Sequence, residues 1–128
     1  MQGLVRRIEA AGARIVLLTS RCVLGGQADN AITRQWLDAE AAVKASSLSH
    51  TILRPSGFQS NALHWDLSDG VVRAPWPDVP IAAIDPADIA AVAAVALTDG
   101  AAPELELSGP EALPAGRPGR DPRRGARP

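Results

Sequence analysis

Tyrosine is missing from this 128-residue chain, and phenylalanine, cysteine, methionine and lysine occur once each. Zero Tyr excludes any mechanism that needs a phenol as its acid or base. A single Cys excludes a disulfide framework and most cysteine-based metal sites. No cluster of His, Asp and Glu has metal-ligand spacing. No apolar run approaches the roughly 20 residues that a bilayer-spanning helix needs, and the segment from Met1 to Arg7 lacks the apolar core of a signal peptide. The expectation is a reduced, soluble, cytoplasmic protein with no membrane partner. Large side chains are scarce as well. Hydrophobic residues make up 46% of the chain, but 24 are Ala, beside 13 Leu, 9 Val and 7 Ile.

What is present is organised. Gln2–Ala11 reads as a helix with a short stripe of Leu4, Val5 and Ile8, stopped at Gly12. Ile15-Val16-Leu17-Leu18 is a continuous apolar run, as expected of a strand buried on both faces of a parallel sheet. It ends in Thr19-Ser20 and a loop with Gly25-Gly26. Asn30–Ser47 reads as an amphipathic helix, capped by Asp29 or Asn30, with Ile32, Trp36, Ala39 and Val43 on one face. Leu48–Leu53 follows as a second strand, ended by Arg54-Pro55 because Pro removes a ladder donor. Asn61–Leu67 suggests a short helix, and Val71-Val72 and Pro80–Ile84 suggest short strand pieces. Asp85 as N-cap, Pro86 at the first helical position and Asp88 near the positive end start a helix. Ile89, Val92, Ala93, Ala96 and Leu97 continue it at helical spacing. Leu105–Leu107 reads as a last strand, closed by Ser108-Gly109-Pro110. Strands alternating with helices predict an α/β fold.

Ligands of α/β sheets bind outside the carboxyl ends of the strands. Two strands here end in small polar residues, Thr19-Ser20 and Arg54-Pro55-Ser56-Gly57-Phe58, so both ends are candidate walls of one crevice. Turn formation explains the same residues. The histidines stand alone: His50 begins a strand, and His64 lies beside Trp65, with a surface or packing role expected for both. Cys22, with only Arg21 near it in sequence, is expected to be inert. Trp36 and Trp65 are expected in the core, and capping accounts for Asp85 and Asp88.

In order along residues 1–114, four segments resemble the NmrA-like family, atypical short-chain dehydrogenase/reductase relatives. They are Ile15–Ser20, the stretch from Glu40 to Asn61 with its Thr51-Ile52-Leu53-Arg54-Pro55-Ser56-Gly57-Phe58 core, Ile84–Ala93, and Leu107–Leu113. The resemblance implies a Rossmann-like parallel sheet with flanking helices. It implies NAD(P) as cofactor, and hydride transfer to a small quinone or carbonyl substrate. A non-catalytic, truncated fragment or a dinucleotide-sensing regulator without turnover is the alternative role. Carried over by position, Thr19, Ser20, Pro55, Ser56, Gly57 and Phe58 bind the cofactor, and Asn61 and Trp65 face the substrate.

The sequence departs from the family in three places. No glycine-rich phosphate turn is present; Gly25-Gly26 follows a strand without that spacing. The residues therefore correspond to the C-terminal half of the family domain, with dependence on a partner chain expected. The Tyr-x-x-x-Lys pair of short-chain dehydrogenases is absent, and Lys44 stands about two turns late on its helix. Finally, residues 115–128 hold five Arg and one Asp, against 8 basic and 13 acidic residues in 1–114. This Gly/Pro/Arg tail reads as disordered. With no aromatic interleaving and no Lys it is a poor match for a nucleic-acid partner. A one-nucleotide shift through it permits an amphipathic helix, so a frameshift is expected at its start.

Overall fold

A computed structural model describes residues 2–25, 30–64 and 78–114. The expected tail, Trp65, the Val71-Val72 strand piece and Gly26 lie outside the described residues. Three helices, α1 (Gln2–Ala10), α2 (Ala31–Lys44) and α3 (Pro86–Thr98), alternate with three strands, β1 (Ile15–Leu18), β2 (His50–Pro55) and β3 (Glu104–Leu107). Short 3-10 turns cover Arg21–Gly25 and Gln59–His64. The strands form one parallel sheet in the order β1-β2-β3, as in part of a Rossmann-like fold.

β2 lies in the middle and carries the core. Ile52 and Leu53 are fully buried, because a central strand flanked by helices has no wet face. Contrary to the sequence reading, Arg54 and Pro55 belong to this strand. Pro55 ends the ladder as a residue without a donor, while the next amide, Ser56 N, still donates to Leu107 O at 2.8 Å. Arg54 is tolerated inside because it is paired, as shown below.

The side chains of β1 divide cleanly. Ile15 and Leu17 pack with Val5 and Ile8 of α1, with Ala42 and Val43 of α2, and with Leu48. Val16 and Leu18 point to the opposite face, toward α3. Helices α2 and α3 therefore cover opposite faces, although β1→β2 and β2→β3 step in the same direction across the sheet. The two crossovers are consequently of opposite hand. Right-handed crossovers dominate α/β folds, and one of these two departs from that rule.

Helix ends follow the sequence. Asn30 Oδ1 accepts from Ile32 N at 2.8 Å, and Asp85 Oδ1 accepts from Ala87 N at 2.8 Å. Gly12 takes φ +62° after α1, a left-handed stop that glycine adopts without a steric penalty. The expected face of α2 is partly wrong. Ile32 is 61% exposed and Trp36, expected in the core, is half-buried; the expected Ala39 and Val43 are buried, together with Thr33 and Glu40. At the start of the helix Thr33 is buried in place of Ile32, its hydroxyl donating to Cys22 Sγ at 3.7 Å, so the first turn of α2 faces the 3-10 turn after β1. Leu97, expected on the buried stripe of α3, is also exposed; Ile89 and Ala96 carry that burial. Of the expected helix over 61–67, residues 61–64 belong to the 3-10 turn Gln59–His64 and 65–67 lie outside the described residues; the strand pieces over 80–84 are two isolated bridges, Ile81 to Leu113 and Phe58 to Ile84.

Candidate active site at the carboxyl edge of the sheet

Parallel strands place all three carboxyl ends on one edge. Thr19-Ser20, Ser56-Gly57-Phe58 and Ser108-Gly109 follow β1, β2 and β3 there. The loop after β2 is strapped from two sides. Ile84 N donates to Gly57 O and Gln59 N donates to Ile84 O, both at 2.9 Å. The Ser56 hydroxyl donates to Ala82 O, the carbonyl that also accepts from Gly109 N at 2.9 Å. A Cβ on Gly109 would collide with the carbonyl of Ala83. The close passage of residues 82–83 beside residue 109 thus depends on glycine.

The hydroxyls expected at the crevice are committed elsewhere. The buried Thr19 hydroxyl donates to Glu40 Oε1 at 2.9 Å. Ser20 Oγ accepts from Cys22 N at 3.3 Å, turning the chain after β1. Half-buried Gly57 and Phe58 remain as backbone and aromatic surface, and Pro55 is buried within β2. Asn61 and His64 are exposed on the 3-10 turn, and Trp65 lies outside the described residues. His50 has Nδ1 3.0 Å from Leu48 O, a local contact at the strand start.

Beneath this edge, on the α2 face, lies a charged network that the sequence reading did not single out. Arg54 grips Glu40 with two donors, Nε to Oε1 at 2.9 Å and Nη2 to Oε2 at 2.5 Å, and Glu104 with a third, Nη1 to Oε2 at 2.5 Å. Lys44 Nζ sits 2.7 Å from Glu104 Oε1 and 3.6 Å from Glu40 Oε2. The Arg54 guanidinium, with help from Thr19, holds the Glu40 carboxyl below its ordinary range against the opposing effect of burial. Lys44 and then Arg54 do the same to Glu104, and Glu40 raises Arg54 in return. Two cations and two anions balance, so a desolvated arginine sits in a strand without an unpaired charge. The available signal was Arg54 itself: a charge following Thr51-Ile52-Leu53 in a buried strand requires a carboxylate nearby, and Glu40 and Lys44 at i and i+4 lie on one side of the preceding helix.

On the α3 face an apolar groove of about 340 Å³ runs along the sheet. Val16, Leu18 and Leu53 form its floor, Ala93 and Leu97 its wall, and Phe58 its end at the carboxyl edge.

No family model matches the chain. In an alignment 114 positions long that covers 83% of the chain, it is 44% identical to the (4-alkanoyl-5-oxo-2,5-dihydrofuran-3-yl)methyl phosphate reductase of Streptomyces griseus subsp. griseus. The chain spans 40% of that reductase's length. It is thus related in sequence to part of an oxidoreductase.

Proposed function

We propose that residues 1–114 form the nicotinamide-side, C-terminal part of an NAD(P)H-dependent reductase domain of the NmrA-like type, acting on a small quinone or carbonyl acceptor. The observation that carries this reading is the convergence of the β1, β2 and β3 ends on one edge, in a chain 44% identical to a reductase. The alkanoyl-furanone phosphate in that reductase's name is a carbonyl compound, which fits the acceptor class. When bound, the reduced dinucleotide would supply a hydride.

The chain's own groups suit the nicotinamide end better than the phosphates. Phe58, Leu18 and Pro86 offer apolar surface against a flat ring, and the strapped Ser56-Gly57-Phe58 backbone is held in place for it. Thr19 would act by anchoring the end of β1 through Glu40, and Ser20 by turning the chain beside it. Asn61 and Trp65 would face the acceptor. A non-catalytic, dinucleotide-sensing role is the second reading. It is favoured by the absence of tyrosine and by Lys44, whose ammonium is spent on Glu104 and Glu40.

Saturation-transfer NMR with NADPH at millimolar concentration tests the reading, since a millimolar dissociation constant corresponds to about 4 kcal/mol. Transfer to the nicotinamide protons in excess of the adenine protons is expected, reduced in Phe58→Ala. No transfer at that concentration rejects dinucleotide binding. Transfer without oxidation of NADPH by small quinones selects the sensing role.

A further inference from the structure

We infer that Arg21 anchors an anionic group on the acceptor, and that this group is a phosphate monoester. The inference rests on the carbonyl-acceptor reading above. Its test omits the dinucleotide, so the two can fail separately.

Arg21 stands where a ligand of this sheet would lie. It follows Thr19-Ser20 at the end of β1, and its Nε is 3.1 Å from Glu106 Oε2 on β3. β2 runs between those two strands, and two ladder spacings separate them by roughly 10 Å. The Arg21 side chain therefore reaches across the end of β2. Glu106 is in register with Arg54, whose side chain meets Glu40 of α2, and laterally paired residues of a sheet share a face. The Arg21–Glu106 contact is thus on the α2 side of the edge. The apolar groove that ends at Phe58 is on the α3 side. A carbonyl compound seated over the strapped Ser56-Gly57 backbone would have that groove on one side and a guanidinium on the other.

The partner of Arg21 is one that can be exchanged. The two side chains are 50% and 52% exposed, and ion pairs in that setting contribute little to stability. The other paired cations are committed. Arg54 is 8% exposed and holds two carboxylates with three donors, and Lys44 Nζ sits 2.7 Å from Glu104. Of these three cations, Arg21 is the one whose partner can give way to a ligand.

The exchange also selects the ligand. A carboxylate on the acceptor would replace the Glu106 carboxylate with its equal. A phosphate monoester carries about −1.5 to −2 charge at neutral pH, and its oxygens accept two parallel N–H donors from a guanidinium. The larger charge and the second donor both favour displacing Glu106.

The test is an NMR titration of the full 128-residue chain, without NADPH, using dihydroxyacetone phosphate, dihydroxyacetone, pyruvate and inorganic phosphate. Dihydroxyacetone phosphate should shift the Arg21 Nε–H and the Cys22 and Val23 amides, and dihydroxyacetone should bind at least about tenfold more weakly because it offers no charged acceptor. Arg21→Gln should remove the response, and Arg21→Lys should keep part of it, since the charge remains without the fork. Glu106→Gln should tighten binding several-fold, because the competing carboxylate is gone. An ion pair with a purely structural role predicts the same loss from Arg21→Gln and Glu106→Gln, and that result overturns the proposal. Equal responses to dihydroxyacetone and its phosphate also overturn it, as does tighter binding of pyruvate. Inorganic phosphate binding as tightly as dihydroxyacetone phosphate means an adventitious ion only, and overturns the assignment to the acceptor. Should Arg21→Gln fail to fold, the sign of the Glu106→Gln effect decides. A failure of NADPH to bind in its own experiment leaves every one of these outcomes readable.

Discussion

Arg54 is where one residue does the most. Its side chain is 8% exposed and that of Glu40 5%, so neither charge is stabilised by water. Glu40→Gln leaves the guanidinium with Glu104 as its remaining carboxylate. Removing one partner of a buried pair costs about 3–5 kcal/mol, and the surviving contact argues for the lower end. The pH dependence has a definite sign. The folded Glu40 titrates below its unfolded value of about 4.3 because Arg54 donates to the charged form. The unfolded chain therefore binds more protons in that region. The stabilisation is complete above the unfolded value and is lost as pH falls through the folded one. Glu104 contributes in the same direction, more weakly, because it is partly exposed to solvent. Urea unfolding from pH 3 to 7 should show stability rising with pH and then levelling. In Glu40→Gln the midpoint should fall and the slope at low pH should shrink; an unchanged slope would show that Glu40 is not the titrating group.

At the scale of elements, what could be read in advance was local, and what could not was relational. The capping of α3 by Asp85, the stop at Gly12 and the apolar run of β1 each depend on a few neighbouring residues, and all three are present. The buried face of α2 differs from the reading at its start, where Thr33 replaces Ile32 and meets Cys22, a contact set by the preceding turn and invisible to periodicity. Arg54-Pro55 looked like a terminator because proline breaks a ladder only through its missing donor, and here the last residue of the strand needs none. The candidate site was legible in its positions along the chain, since parallel strands must bring their ends together, but not in its chemistry. Thr19 looked available for a ligand until Glu40 was placed 2.9 Å away. The cap of α3 gives a test of the local half of this account. Asp85→Ala removes the acceptor of Ala87 N and should cost about 1 kcal/mol. Asp88→Ala loses only the favourable end of the helix dipole, about 0.3–1 kcal/mol. Thermal melts of the two variants should rank in that order; equal losses would mean that charge, not the cap, sets the helix start.

At the scale of the molecule, the sheet formed by the described residues has an unequal pair of edges. β3 alternates Glu104, Leu105, Glu106 and Leu107, and Glu106 meets Arg21 at 3.1 Å. Acidic residues of this kind on an edge discourage a further strand. β1 carries no charge at all, and its own Leu18 and the neighbouring Leu97 of α3 are each more than two-fifths exposed. The chain's net charge of −1 gives little long-range repulsion to keep two such edges apart. Self-association through β1 is therefore expected when nothing else covers it, most strongly near the isoelectric pH of about 6.1. Leu18→Lys places a cation on this edge at a position that is already 41% exposed, so it should cost little stability while adding a charge that a partner edge must desolvate. Light scattering at pH 6 should rise with concentration for the unsubstituted chain and stay low for Leu18→Lys, and raising the pH to 8 should slow the first without altering the second. Equal scattering from both would move the association away from β1, to surface such as Leu63 on the 3-10 turn, 83% exposed.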